Sequence, residues 1–395
     1  MIVASTASNA VFSLAVQLLG LVTLAPSAFG VFSLQYLVFA LGVSVGLSTV
    51  SEPWLRTDLM KGHRSSWPDY SSALLYLSAA TAVVTLVLSM IVPGLEVVAV
   101  TGAIAAGAGV YRSGARYHQV RTERWRLVLA ADAIGVFVTV VVWAALFFAT
   151  DLDRLLTLSL SWMIGGLAAA AVAQRPTLQR PRALVVWYRR HREHIVPLLK
   201  DSSLMDVGSI ATPFAVAPLL GLADFGVYRA VSNVAAPVRL VLNPLRPVLA
   251  GAPLPTFRSV RRIVLVVALS IGFGAAAAVA LLIIGSLDIE LGSLTALTEY
   301  AIPTGLFVSA NFLTLFYYMI ARAHLSGNAL LAGRIVQTVF AIVLPISGAL
   351  AAQLSGAIWF YAVGTALSGV FWVIVVIRGR TSPAADLTSE DDLLP

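Results

Sequence analysis

Five polar residues in an otherwise apolar stretch have the chemistry to hold an anion. From Phe225 to Ala250 the chain reads FGVYRAVSNVAAPVRLVLNPLRPVLA, with Arg229, Asn233, Arg239, Asn243 and Arg246 set among valines, leucines and alanines. At 100° per residue, Arg229, Ser232, Asn233, Ala236, Arg239, Asn243 and Arg246 fall on one side of a helix. Val231, Val234, Val238, Val241, Leu242 and Leu245 fall on the other. An arginine near the centre of a bilayer costs at least ~2.5–3.5 kcal/mol and is tolerated only when it faces protein, water or an anion. The stripe therefore predicts a membrane helix, one side of which lines a positive polar cavity.

Other polar residues lie inside apolar segments. Asn9, Ser13 and Gln17 recur every four residues, and so do Ser202, Asp206 and, one position early, Ser209. Hydrogen bonding between helices is the ordinary role of an isolated Ser, Asn or Gln, worth about 0.6–2 kcal/mol. Asp206 could serve as counter-ion to Arg239 or Arg246, as a coupling site for a proton or cation, or as a group at the inner mouth. Asp132 is a second coupling candidate. Asn311, Tyr317 and Tyr318 share one apolar segment, where the tyrosines read as interface anchors. Pro213, Pro218, Pro237, Pro244 and Pro303 fall within apolar segments and permit kinks.

Catalytic chemistry is not written in this chain. It has no cysteine, which removes disulfides, thiol chemistry and thiolate metal sites. Its five histidines sit in or beside charged stretches without a partner at metal-ligand spacing. There is no phosphate-binding glycine loop, nucleophile elbow, paired-carboxylate motif or HExxH. The reading is of a protein that is not an enzyme and needs no cofactor or metal.

The elements that must position the arginines are membrane spans. The chain is 59% hydrophobic and 11% charged, with mean hydropathy +0.89, against roughly 25% charged in soluble domains. A span needs about 20 mainly apolar residues. That ruler predicts twelve, at about 6–25, 30–51, 70–93, 95–111, 127–149, 155–173, 203–220, 225–249, 262–285, 299–320, 331–352 and 355–377. Of 26 Lys and Arg, 23 fall in, or within three residues of, the stretches following even-numbered spans, and the intervening stretches are short and neutral or acidic. Cytoplasmic loops collect positive charge, so both termini are read as cytoplasmic. The net charge of +7 thus reports topology, and no nucleic-acid partner is implied.

The expected organisation is a six-span bundle over 1–173, a cytoplasmic linker over 174–202, a second six-span bundle over 203–378 and a disordered acidic tail over 379–395. Within the linker, 183–200 (ALVVWYRRHREHIVPLLK) reads either as a helix lying on the inner leaflet or as a solvated basic segment. Six spans per half is an even number, so the halves form a parallel repeat about an axis along the membrane normal. Phe29-Gly30-Val31-Phe32 and Phe225-Gly226-Val227-Tyr228 match at an offset of 225 − 29 = 196 residues. At that offset Ser33 aligns with Arg229 and Val43 with Arg239, so span two carries a mild stripe of Ser33, Ala40, Ser44, Ser48 and Ser51. Striping of spans one, two, seven and eight is the pattern a central cavity between two bundles would produce.

Two stretches also resemble a known family. Leu24-Ala25-Pro26-Ser27-Ala28-Phe29-Gly30-Val31-Phe32-Ser33-Leu34 is similar to the first outer loop and second helix of bacterial polysaccharide flippases. These are the Wzx-type members of the multidrug/oligosaccharidyl-lipid/polysaccharide (MATE-like) exporter superfamily, which typically read LGPEEFGxYSL there. Leu220-Gly221-Leu222-Ala223-Asp224-Phe225-Gly226-Val227-Tyr228 is similar to the equivalent place in the second half. Pro26-Ser27-Ala28 stands where the family usually has an acidic pair. The resemblance implies an all-α integral membrane fold of about twelve spans in two six-helix bundles arranged as a V. It implies a cavity that opens alternately inward and outward, in the cytoplasmic membrane of a bacterium. The implied cargo is an undecaprenyl-diphosphate-linked oligosaccharide, and the implied company is membrane lipid and the glycosyltransferases or polymerase of the same pathway.

The chemistry agrees with that cargo. Arginine stays charged and binds phosphate bidentately. Arg229 and Arg239 are ten residues apart, hence ~15 Å along a helix axis. With Arg246, Asn233 and Asn243 from the same span, and Asn9, Gln17 and Ser33 from the first half, they are the expected substrate-binding set. Asp206 and Asp132 are the expected coupling set. Alternatives are a multidrug exporter of the same superfamily, a non-transporting subunit of a polysaccharide synthase complex, and a peptidoglycan-precursor flippase. Members of the last kind usually carry two more helices.

Overall fold

The computed structural model describes residues 14–55, 66–242, 245, 249, 252–287 and 290–379. The described residues are almost entirely helical, and seven helices are long and apolar enough to cross a membrane. The chain is a multi-pass, all-α membrane protein. α1 is Leu14–Thr23, and α2 runs Pro26–Gly46 and on through a π-helical turn, Leu47–Ser51. α3 is Trp67–Ile91, α4 Ala99–Arg121, α5 Trp125–Ala149 and α6 Arg154–Val172. α7, Arg182–Asp206, continues through a second π turn, Val207–Ala211, into α8, Thr212–Leu220. α9 is Leu222–Val234 and α10 Ala236–Leu242. α11, Leu254–Arg258, is short, and α12 is Val260–Ser286. α13, Ser293–Leu297, is also short, and α14 is Ala301–His324. α15 spans Gly327–Arg378 but is broken at Ala352 and Gln353, where Gln353 has φ +49°, so it makes two arms. Counting those arms separately and α7–α8 and α9–α10 as one crossing each, the helices among the described residues are roughly consistent with the twelve expected spans.

Local chemistry sets the helix ends. Pro26 opens α2, where its missing N–H costs nothing. Asp153 caps α6, its carboxylate accepting from the Leu155 and Leu156 amides at 2.9 and 3.1 Å. Within α3, the hydroxyls of Ser78, Thr81, Thr85 and Ser89 each donate to the carbonyl four residues back. Such bonds satisfy a hydroxyl inside the helix itself and let it sit in an apolar setting.

The helices group into two compact units. The first holds the described residues up to Phe214, with Leu222–Gly226 and Leu291–Ser293. Part of its core is aromatic: Trp162 meets Phe32, Tyr36 and Phe39 at ring-centroid distances of 5.9, 5.8 and 5.5 Å. A second cluster joins Val50, Trp54, Tyr70, Tyr111, Trp187 and Ile195. α7 is thus anchored on this unit: Trp187, Ile195 and Leu198 are buried, and the Trp187 indole donates to the Thr49 carbonyl at 3.0 Å. The stretch 183–200, left open as a surface helix or a solvated linker, is helical and runs into the following span without a break.

The second unit holds Ala215–Gly221, Val227–Glu290 and the described residues from Leu294. α12 and α14 approach closely at Gly274 and Gly305, where a methyl on either glycine would meet the other's carbonyl oxygen. Small residues at a crossing let two membrane helices pack backbone to backbone.

Two expectations about local structure change. The stretch 225–249 is not one straight helix. It breaks at Ala235 (φ −82°, ψ −4°), two residues before Pro237. Proline has no amide to donate and crowds the residues before it out of regular helix. Arg112, Arg116 and Arg121, placed by hydropathy in a loop, lie on α4, which carries on to Arg121.

Candidate functional site

The expected arginines lie in the second unit, and tertiary packing gathers other residues around them. On α9, Arg229 is half-buried, and Ser232 and Asn233 are buried. The Ser232 hydroxyl donates to the Arg229 carbonyl at 2.8 Å. α9 is regular over this stretch, so Arg229 and Asn233 share a face as their spacing requires. Past the break, Arg239 on α10 is exposed.

Tyr361, on the second arm of α15, lies within reach of both arginines' charge. Its ring stacks on Phe307 of α14 at 4.4 Å and 30° and lies 5.1 Å from Tyr228, the residue before Arg229. Both the Arg229 and the Arg239 guanidinium lie within electrostatic range of its phenol. One phenol, its ring packed against two others, therefore sits in the field of two cations. Tyr361 and Phe307 did not stand out in the sequence. A phenylalanine in an apolar span is ordinary, and the one signal for Tyr361 was a phenol set inside an apolar segment rather than at its end.

The remaining expected residues are placed as follows. Asn9, Asn243 and Arg246 lie outside the described residues. Gln17 on α1 is half-buried, and Ser33 on α2 is buried at 3% exposure, both in the first unit. The mild stripe of α2 does not stay on one side. The π turn adds a residue to the local repeat, and Ser51 turns inward to the Tyr70 hydroxyl at 2.9 Å. A residue the sequence reading passed over, Gln35, is wholly buried, donating to Ser89 Oγ at 2.9 Å and the Val98 carbonyl at 3.2 Å.

Asp206 is buried at 7% exposure where α7 passes into its π turn. Its hydrogen-bond partner among the described residues is the Ser44 hydroxyl, which lies just before the π turn of α2. Two π turns in one unit thus flank one carboxylate–hydroxyl contact. π turns are rare and concentrate at functional positions.

Asp132 has a different setting. It accepts from Arg112 Nη1 at 2.9 Å and forms a second ion pair with Arg116 at 3.5 Å. The side chains of Arg112 and Asp132 are 3% and 2% exposed. The arginines were read as loop charge because the hydropathy of α4 fades before the helix ends. The i, i+4 spacing of Arg112 and Arg116, opposite an aspartate in the next span, was the available signal.

No family model and no curated protein matches the chain. Solved structures do. One is the inward-facing conformation of a multidrug resistance MATE family transporter of the MOP superfamily. It has a TM-score of 0.65 at 12% identity, covering 93% of each chain. The fold is that of the MATE transporters. A MATE transporter in complex with MaL6 aligns at a TM-score of 0.57 and 12% identity, over 95% of this chain and 93% of the other. The eukaryotic MATE transporter AtDTX14 aligns at 0.54 and 13%, over 95% and 94%. At such identities the MATE likeness is one of fold, and what the protein carries has to be argued from its side chains.

Proposed function

We propose that this chain is a flippase that moves an oligosaccharide joined through a diphosphate to an undecaprenyl-type lipid across the cytoplasmic membrane of a bacterium, by alternating access, for cell-surface polysaccharide assembly. The observation that carries this reading is a pair of arginines, Arg229 and Arg239, whose charges both reach the Tyr361 phenol in a unit built from apolar helices. Two fixed cations in that setting suit a headgroup bearing about two negative charges, and arginine matches phosphate in geometry as well as charge. Asn233 adds an amide on the face of Arg229. Asn243 and Arg246 follow on the same stretch of sequence. Asp206, buried beside a hydroxyl, is the better coupling candidate. Asp132, engaged by two arginines, is the weaker one.

The test replaces Arg239 with Ala and follows surface polysaccharide in a deletion strain carrying the variant. Export falls sharply at unchanged protein level. Normal export at normal level would sink the assignment.

A second reading, a multidrug exporter, is favoured by one observation, the fold likeness to a multidrug resistance transporter. The arginines weigh against it for cationic drugs, which they would repel. Drug susceptibility of the deletion strain separates the two: broad sensitisation with intact surface polysaccharide supports the exporter.

A further inference from the structure

Beside the arginines, the second unit holds two oxygens whose hydrogen-bonding capacity is unused. Thr304 Oγ1 and Asn311 Oδ1 are both buried and have no hydrogen-bond partner among the described residues. Thr304 is fully buried. Most buried hydroxyls in this protein donate to a carbonyl of their own helix, as Ser78 and Thr85 do, so Thr304 is an exception. An unsatisfied buried polar group costs about 1–3 kcal/mol in an apolar setting and calls for an explanation.

The two oxygens share a side of α14. Seven residues apart, they differ by about 20° around the helix. Ile302 and Leu306, on the opposite side, are exposed at 67% and 37% and make the outward, apolar face. Thr304 and Asn311 therefore point into the unit. Phe307, the ring on which Tyr361 stacks, lies between them along the helix, about 4.5 Å from one and 6 Å from the other in axial rise. α10, which carries Arg239, packs against α14. The two oxygens are thus each within about one turn, along α14, of the ring on which Tyr361 stacks, and both arginine charges reach that tyrosine's phenol.

Two cations ask for an anion, and an amide oxygen and an idle hydroxyl, about two turns apart on one side of α14, ask for hydrogen-bonding partners. Inorganic phosphate would satisfy the first requirement only. An organic cation would meet the wrong charge. A sugar bound to a phosphate meets both, because its hydroxyls donate while the phosphate stays on the arginines. Resting on the flippase reading above, we infer that Thr304 and Asn311 form a subsite for the hydroxyls of the first sugar of the cargo, adjoining the diphosphate held by Arg229 and Arg239. The subsite makes the protein prefer a glycosylated lipid diphosphate to the bare one.

The experiment measures binding to the purified full chain in lipid nanodiscs. The probes are geranylgeranyl diphosphate and the same lipid carrying glucose or N-acetylglucosamine on its outer phosphate. The wild-type protein binds the better of the two glycosylated forms about tenfold more tightly than the bare diphosphate, the worth of one to two net hydrogen bonds. Asn311→Leu, close in size but without the acceptor, and Thr304→Val, close in shape but without the hydroxyl, each bring that ratio below about threefold. Thr304→Ser, which keeps the hydroxyl, retains the wild-type ratio and guards against a variant that has merely lost its packing. Arg239→Ala weakens all three probes alike. Tight binding of the bare lipid with no preference for either sugar, or a preference that survives both Asn311→Leu and Thr304→Val, overturns the subsite while leaving the flippase reading intact. Failure of all probes to bind the wild-type protein overturns both.

Discussion

Gly30 and Gly226 meet in a reciprocal contact: a methyl group added to Gly30 would strike the carbonyl oxygen of Leu222, and one added to Gly226 would strike that of Pro26. The offsets are equal, 226 − 30 = 222 − 26 = 196, so the contact is self-complementary, as a two-fold axis relating the two stretches requires. Phe29 and Phe225, the residues before the glycines, are both fully buried. The tetrapeptide that marks the repeat in the sequence is thus also the place where its two copies touch. Hydrogen alone fits between the backbones there, which explains glycine at both positions.

Replacing either glycine with alanine forces those backbones apart. Alanine elsewhere in a helix is favoured over glycine by up to about 1 kcal/mol, but overpacking here costs about 1–3 kcal/mol. Gly30→Ala and Gly226→Ala each lower the thermal unfolding midpoint of the purified protein. The double variant is less destabilised than the sum of the two, because separating the helices for one methyl makes room for the other. Strictly additive losses would mean that the two sites do not share one contact.

Asp132→Asn leaves Arg112 and Arg116 without the carboxylate between them. Removing one partner of a buried ion pair costs about 3–5 kcal/mol, because the remaining charge is left in a poorly solvated place. The variant accumulates poorly in membranes and unfolds at lower temperature. Asp132→Leu combined with Arg112→Met recovers part of the loss, since an apolar pair of similar volume needs no counter-charge. A fully stable Asp132→Asn would show that the pair is not structural.

For Asp206 the prediction concerns coupling. In proteoliposomes, transport driven by an imposed proton or sodium gradient drops to the undriven rate with Asp206→Asn. Ser44→Ala, which removes the hydroxyl on that carboxylate, changes the driven rate less and leaves the dependence on the gradient. Retention of full gradient-driven transport by Asp206→Asn would remove the residue from the coupling set.

The break at Ala235 sets the direction of Arg239 relative to Arg229, which a continuous helix would place about 80° away in azimuth and ~15 Å along the axis. Pro237→Ala permits that continuous helix and relieves a residue that is otherwise about 3 kcal/mol unfavourable inside one. The variant unfolds at the same or a higher temperature, yet its transport falls, because Arg239 turns away from Tyr361. Unimpaired transport in a variant shown to be folded would mean that the break does not matter to the site.

Much of this protein follows from local pattern alone. Long apolar runs separated by basic stretches define about twelve crossings, because the cost of leaving backbone or charge in hydrocarbon acts on each segment independently of its neighbours. The same reasoning singles out Arg229, Asn233 and Arg239, since a cation in an apolar run is anomalous wherever the run ends up. Contacts distant in sequence decide the rest. Arg112 and Arg116 looked like loop charge until Asp132, on the next helix, drew them into the first unit. The π turns at Leu47–Ser51 and Val207–Ala211 shift the phase of spans whose composition reads as plain helix. Tyr361, Phe307 and Thr304 are unremarkable as residue types, and Asn311 stands out only as one polar residue in an apolar segment. They come near the arginine-bearing helices only because α14 packs against α10 and Tyr361 of α15 meets Tyr228 of α9 and Phe307 of α14. Hydropathy and charge are properties of a segment and can be read along the chain. Which face of which helix meets a given guanidinium depends on packing among segments distant along the chain, and that is settled only when the chain has folded.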